Sequence, residues 1–267
     1  MSEDFAYVGK NLPFVGSEEK VTGVTKYSVD ITAPGTYVGK LLTSPHAHAR
    51  IKSIDTSEAE KLPGVAAVIT FRDIPKLKIN PSIQKWLHHH PAGDLEDMYI
   101  VSDKARFIGD TLGAVAAVNE KTADQALKLI KVEYEILPAV FDPVKAMEPD
   151  APWVHDEFKG NISQVSDFVG NQGDVDAAFE ASDLSVEARV RTSRQHLMHL
   201  EPLTCMARFE VDGGLTCWTS NQRPMTIRKQ IAELFGLSEA SINVICKHAG
   251  GFFGEGNWPI VFGAHEE

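Results

Sequence analysis

Residues 215–246 constrain the fold more than any other stretch, because their apolar period changes twice. After the turn signal Asp212-Gly213-Gly214, residues 215–220 have strand character. Pro224 then suits the first position of a helix, Ile227, Ile231, Leu234 and Phe235 form an i, i+4, i+7, i+8 stripe, and Gly236 is placed to cap it. Ile242, Val244 and Cys246 return to strand alternation. If both strands lie in one sheet, a right-handed crossover makes them parallel. Parallel strands deliver their carboxyl ends to one sheet edge, where open α/β sheets bind ligands. Two polar loops then converge: Asn221-Gln222-Arg223, and Lys247-His248-Ala249-Gly250-Gly251-Phe252-Phe253-Gly254-Glu255-Gly256-Asn257. Glycine allows close backbone approach, so free N–H groups of the second loop can point at a phosphate or an oxo group. The loop is not G-x-G-x-x-G, no G-K-[ST] follows, and Trp258-Pro259 interrupts any helix, so neither dinucleotide nor P-loop ATP binding is supported.

Upstream, residues 37–43 and 49–54 have strand character, and Asp55 with Glu58 has capping-box spacing for a short helix stopped by Pro63-Gly64. Residues 65–70 form a buried β run, while residues 72–97 carry Pro and His without a clear period. A second β-α-β unit is expected next. Residues 112–118 suit a strand covered on both faces, Ala123, Ala126, Leu127 and Ile130 make a helical stripe, and Val132, Tyr134 and Ile136 alternate with Glu133 and Glu135. Pro138, Pro143 and Pro149 punctuate a linker, which places a domain boundary near residues 145–160 and separates 1–150 from 151–267. Beyond it come a short helix around residues 174–180 and a strand with Leu184, Val186, Ala188 and Val190 on one face. Cys205, Ala207, Phe209 and Val211 give another alternating strand. The fold class is α/β (α+β).

Thirty-seven acidic residues against 26 basic ones give a net charge of −11, which disfavours a nucleic-acid binder. The start Met-Ser-Glu-Asp has no signal-peptide character and no run approaches the ~18 apolar residues of a membrane span, so a cytoplasmic location is expected. Cys205, Cys217 and Cys246 lack C-x-x-C spacing, fall on apolar strand faces and read as inert reduced thiols rather than as cluster or zinc ligands. No G-x-S-x-G elbow occurs. His196, His199 and Glu201 lie close in sequence; on a strand the two histidines would face opposite sides, and on a helix they would share one. His46, His48 and the run His88-His89-His90 read as ordinary surface or core histidines.

Several segments resemble the molybdopterin-binding subunit of the molybdenum hydroxylases, the xanthine dehydrogenase and aldehyde oxidase family. The N-terminal signature is matched by Val8-Gly9-Lys10-Asn11-Leu12-Pro13, Glu19-Lys20-Val21-Thr22-Gly23 and residues 27–30. The α/β hammerhead domain is resembled by Thr43-Ser44-Pro45-His46-Ala47-His48-Ala49-Arg50-Ile51, Phe107-Ile108-Gly109-Asp110, Val132-Glu133-Tyr134-Glu135 and Leu137-Pro138-Ala139-Val140. The first molybdenum-binding domain is resembled by Leu200-Glu201-Pro202, Trp218-Thr219-Ser220-Asn221-Gln222 and Gly250-Gly251-Phe252.

The resemblance implies a hammerhead domain over residues 1–150 with an N-terminal arm, then an incomplete first molybdopterin-binding domain over 151–267. It implies a molybdenum–molybdopterin cofactor in its cytosine dinucleotide form. The cofactor contacts fall to Gln222, whose uncharged amide would approach an oxo ligand, and to Gly250, Gly251, Phe252, Phe253 and Gly254. The implied reaction is oxidative hydroxylation of a small molecule with water. The family's glutamate general base has no match in this sequence and is expected on a complementary C-terminal molybdenum-domain chain, with iron–sulfur and FAD subunits as further partners and the single chain inactive. Phe253 stands where the family has a second glycine. Gly256 stands where xanthine enzymes have a substrate-binding glutamate, which leaves aldehydes, other N-heterocycles or aromatic thioesters. A missing half would expose an apolar face, so tight association with a complementary chain or with itself is expected. The alternative is a non-catalytic docking or assembly fragment without cofactor.

Overall fold

The computed structural model describes residues 5–75, 78–79, 98–163, 173–193, 198–251 and 253. They belong to two compact units, one made of residues 1–36 with 199–267 and one of residues 37–198. The units divide at 36/37 and 198/199. The physical reason is that the N-terminal arm, which carries α1 (Ser17–Val21), rejoins the chain beyond residue 198: the Ser28 N–H donates to Glu201 Oε1 at 3.0 Å.

The unit of residues 37–198 is built on antiparallel sheets. Its elements are β1 (Val38–Thr43), β2 (Ala49–Asp55), α2 (Ser57–Glu60), β3 (Val65–Thr70), β4 (Lys78–Ile79), β5 (Met98–Tyr99), β6 (Lys104–Ala105), β7 (Thr111–Ala117), α3 (Glu120–Leu129), β8 (Lys131–Ile136) and α4 (Val175–Glu180). One sheet has the order β1-β7-β3, a second β6-β2-β8, and β4 pairs with β5. As the first sheet's central strand, β7 is covered on both faces, as its unbroken apolar run requires. The α3 stripe lays Ala123 and Ala126 on Val115 and Ala117, and Asn119 caps the helix by accepting the Thr122 N–H at 2.9 Å.

Two expectations fail in this unit. β7 and β8 belong to different sheets, so β7-α3-β8 is not a parallel crossover; β8 instead pairs antiparallel with β2, from Ala49 opposite Ile136 to Asp55 opposite Lys131. Residues 184–190 form no strand, and Leu184, Val186 and Val190 are each about four-fifths exposed. Alternation marks a segment able to bury one face, but a strand needs a neighbouring backbone to complete its ladder, and no described strand pairs with this one.

Segments far apart in sequence meet at specific backbone groups here. The Ser44 N–H donates to the Asp110 carbonyl at 2.9 Å and the Gly109 N–H returns to the Ser44 carbonyl at 2.8 Å. The Leu137 N–H donates to the His48 carbonyl at 2.9 Å, and His48 Nδ1 lies 2.5 Å from the Pro138 carbonyl. Burial lowers the His48 pKa, which keeps the imidazole neutral and suits an Nδ1–H donor.

In the other unit, β9 (Cys205–Phe209), β10 (Leu215–Thr219) and β11 (Ile242–Ile245) form a sheet of order β11-β10-β9, with α5 (Pro224–Phe235) between β10 and β11. The hairpin from β9 to β10 turns at Gly213, whose φ of 83° is a left-handed value open to glycine. Ile227 and Ile231 of α5 pack on Leu215, Cys217 and Ile242. The two strands share one sheet, and β10 and β11 are parallel as the crossover then implies, from Leu215 opposite Ile242 to Trp218 opposite Ile245.

Candidate functional site

Because β10 and β11 run the same way and end in register, the chain leaves both at one sheet edge. The first exit is Ser220-Asn221-Gln222-Arg223. Asn221 is 2% exposed, and its Oδ1 accepts the Arg223 N–H at 2.7 Å in a local turn that fixes the backbone just before α5. Pro224 occupies the first helical position, and no side chain caps the helix start. Pro224 has no N–H and the Ile227 N–H donates to the Arg223 carbonyl at 3.1 Å, so the Met225 and Thr226 N–H groups are the first-turn donors left beside Gln222. The Gln222 side chain is half-buried, and none of the described residues hydrogen-bonds its amide. The Ser220 hydroxyl, two residues earlier, is buried without a hydrogen-bond partner.

The second exit is the glycine loop, and here one of the N–H groups expected to face a ligand, that of Gly250, is not free. The Gly250 N–H is already committed: it donates to Glu201 Oε2 at 2.5 Å. Its missing side chain is needed for the same contact, since a Cβ there would collide with Glu201 Cβ. A Cβ on Gly251 would meet the His199 ring at 2.6 Å. Both glycines are therefore required by protein neighbours. Phe253, the aromatic in a glycine's place, is accommodated by stacking on His199, with ring centroids 4.8 Å apart and planes 13° from parallel. Phe252, Gly254, Glu255, Gly256, Asn257, Trp258 and Pro259 lie outside the described residues, as do His88, His89, His90 and His196.

Glu201, which from the sequence is a metal-ligand candidate and part of the Leu200-Glu201-Pro202 resemblance, has a different role that the sequence did not indicate. It is 8% exposed, and its two oxygens accept one backbone N–H each, from Ser28 and from Gly250. No local signal could have found it, because the partners are 173 and 49 residues away along the chain. Glu201 and His199, weighed above as metal ligands, are engaged instead by backbone N–H groups and by Phe253. Cys205 and Cys217 bring their Sγ atoms to 3.4 Å, and that contact together with burial pushes the Cys205 thiol up, so it stays protonated.

What this edge fits is a cofactor that takes uncharged and backbone donors: the amide of Gln222, the orphaned Ser220 hydroxyl and the uncapped helix start present donors without a competing acidic side chain. Comparison with known proteins agrees. Residues 22–138 match the a/b hammerhead domain of aldehyde oxidase and xanthine dehydrogenase, and residues 154–262 match the molybdopterin cofactor-binding domain. The chain is 35% identical over 246 residues to the carbon monoxide dehydrogenase large chain of Afipia carboxidovorans, covering 87% of this chain and 29% of that protein. It is 34% identical over 254 residues to the nicotinate dehydrogenase large molybdopterin subunit of Eubacterium barkeri, covering 95% of this chain and 56% of that one. Its structure resembles the aldehyde oxidoreductase from Desulfovibrio gigas with a TM-score of 0.77 and 30% identity, covering 91% of this chain and 27% of that one. The chain belongs to the xanthine dehydrogenase and aldehyde oxidase family of molybdenum hydroxylases, and pairs a hammerhead domain with a molybdopterin cofactor-binding domain. It spans less than a third of the length of the first of these relatives and just over half of the second. Among the described residues, no helix is long and apolar enough to cross a membrane.

Proposed function

We propose that this chain forms one wall of the molybdenum-cofactor site in a cytoplasmic enzyme that hydroxylates an aldehyde or N-heterocycle with water, and that its family domains join near residues 145–160. The observation that carries the proposal is the parallel pairing of β10 with β11, which brings Gln222 and the Gly250-Gly251 loop to one edge. When bound, the molybdenum–pterin group supplies the two-electron chemistry that amino-acid side chains lack. Gln222 orients it through an uncharged hydrogen bond, and the first-turn N–H groups of α5 favour its anionic portion. Gly251 and Phe253 shape the adjoining wall through their packing on His199. Phe252 and Gly254 are assigned to the same wall on the family resemblance.

The cofactor carries a cytosine dinucleotide in this reading. The proton-accepting glutamate comes from a complementary molybdenum-domain chain, electrons leave through iron–sulfur and FAD subunits, and the single chain does not turn over. The length and name of the Eubacterium barkeri relative, a large molybdopterin subunit, support a divided molybdenum site. So do the arm residues Tyr7, Val8, Phe14, Val15 and Val21, each more than two-thirds exposed, which supply apolar area for a partner.

The test is metal and nucleotide analysis of the complex isolated from its native cell through a tag on this chain. Stoichiometric molybdenum, cytidine monophosphate released on acid hydrolysis, and loss of molybdenum in Gln222→Ala at unchanged thermal stability are expected. A stable complex without molybdenum would overturn the reading in favour of a non-catalytic assembly piece.

A further inference from the structure

We infer that Glu201 is a positioning residue for the glycine loop, a two-sided carboxylate clamp that ties the loop to the N-terminal arm; its consequence for cofactor loading rests on the proposed function above. Two backbone donors from opposite ends of the chain converge on one buried carboxylate, Ser28 N–H on Oε1 at 3.0 Å and Gly250 N–H on Oε2 at 2.5 Å. Only a carboxylate satisfies both, because it offers acceptors alone; an amide of the same shape turns an N–H toward one of the two donors. The receptor is equally particular. A Cβ at residue 250 would collide with Glu201 Cβ and stand 3.1 Å from Oε2, so glycine is the residue that lets the loop backbone reach the clamp.

A second contact between the same two segments points the same way. Tyr27, the neighbour of Ser28, meets His248 edge-on with ring centroids 6.2 Å apart. The arm thus touches the loop by a ring contact as well as through Glu201. Since the chain path from β11 to Gly250 is short and fixed at its start by pairing with β10, holding the Gly250 N–H sets which way the next peptide, at Gly251, faces on the edge shared with Gln222. Glu201 touches no reacting atom in this scheme; it acts through the loop.

Hydrogen–deuterium exchange on the full chain, in the assembly in which it is isolated, tests the clamp directly. In Glu201→Gln, exchange in peptides covering residues 27–30 and 248–251 is expected to accelerate about tenfold or more, the loss expected of a charge-assisted hydrogen bond, with β9, β10 and α5 unchanged. Ser28→Pro is the second variant. Ser28 opens a 3-10 turn and Tyr27 before it is extended, so proline fits there and deletes the one N–H. It should loosen residues 248–251 without touching Glu201 or Gly250. Glu201→Asp, which keeps the charge but shortens its reach by one methylene, should not restore wild-type exchange.

A uniform acceleration across the whole sheet, or no change at residues 248–251, would overturn the clamp. Molybdenum content and the Mo(V) electron paramagnetic resonance spectrum of the same preparations separate this inference from the reading it rests on. Local loosening in Glu201→Gln with an altered spectrum or reduced loading supports both. Local loosening in Glu201→Gln, when the wild-type assembly itself contains no molybdenum, supports the clamp and removes the cofactor reading. Lost loading with unchanged exchange removes the clamp alone.

Discussion

Truncating Ile231 to alanine should loosen the sheet edge that carries Gln222, because this side chain holds α5 on the parallel strand pair. Ile231 is 1% exposed and packs in one cluster with Leu215, Cys217, Ile227 and Ile242. Removing three buried carbon atoms costs about 2.4 kcal/mol at about 0.8 kcal/mol for each. The helix is tethered by Pro224 at one end and Gly236 at the other, so the gap closes only in part, which raises the expected loss to about 3–4 kcal/mol. Lys229→Ala on the same helix is the control. Its amine is exposed and 3.8 Å from Glu233, a pair worth about 0.3–0.5 kcal/mol. Urea unfolding followed by circular dichroism and by tryptophan fluorescence, to which Trp218 on β10 contributes, measures both. An Ile231→Ala loss below about 1 kcal/mol, or one matching Lys229→Ala, would refute the packing of α5 on β10 and β11 and with it the shared edge.

Two further predictions concern the unit of residues 37–198. Burial, reinforced by the Arg106 charge, lowers the His155 pKa to about 4 from an ordinary value of 6.5. The unfolded chain then binds a proton that the folded chain does not between those values, so stability falls as pH drops from about 6.5 toward 4. The full shift corresponds to about 3 kcal/mol, which partial solvent exposure reduces to about 1–2; His155→Phe should flatten wild-type urea midpoints between pH 7 and pH 4.5, and parallel curves would count against it. Lys104, whose side chain is 3% exposed, has its amine 3.0 Å from Asp156, so Asp156→Ala strands a buried cation and should cost about 2–4 kcal/mol. Arg50→Ala removes only the more exposed partner of that carboxylate and should cost under about 1 kcal/mol; equal losses in thermal unfolding would contradict the account.

The elements that could be read from the chain alone are those whose burial pattern is local. The α5 stripe and the flanking alternations of residues 215–246 implied a parallel pair if both strands shared a sheet, and β10 and β11 do so. What was not legible depends on which backbone lies next door. The alternation of Val132, Tyr134 and Ile136 specifies a half-buried strand but not that β8 pairs with β2 rather than with β7. The alternation at residues 184–190 promised a buried face that the described residues do not provide. The glycine loop shows the same limit from the other side. Two adjacent glycines announce a close approach without naming the group approached, and the groups are Glu201 and His199.

This distinction sorts the residues that carry the family resemblance by what remains for them to do. Ser44, Gly109, His48 and Pro138 have backbone groups, and His48 its Nδ1, occupied in joining segments of the hammerhead domain. Glu201, Gly250 and residues 27–30 are consumed likewise in fastening the loop to the arm. Gln222 differs: its amide has no partner among the described residues, and it precedes an uncapped helix start beside an orphaned serine hydroxyl. An unmatched polar group carries a desolvation cost of about 1–3 kcal/mol when buried. The Ser220–Gln222 segment is therefore a place where a bound group recovers such a cost, whereas the Gly250 N–H is already held by Glu201. A cofactor contact is accordingly expected to be lost on changing Gln222 itself and to be displaced on changing Glu201.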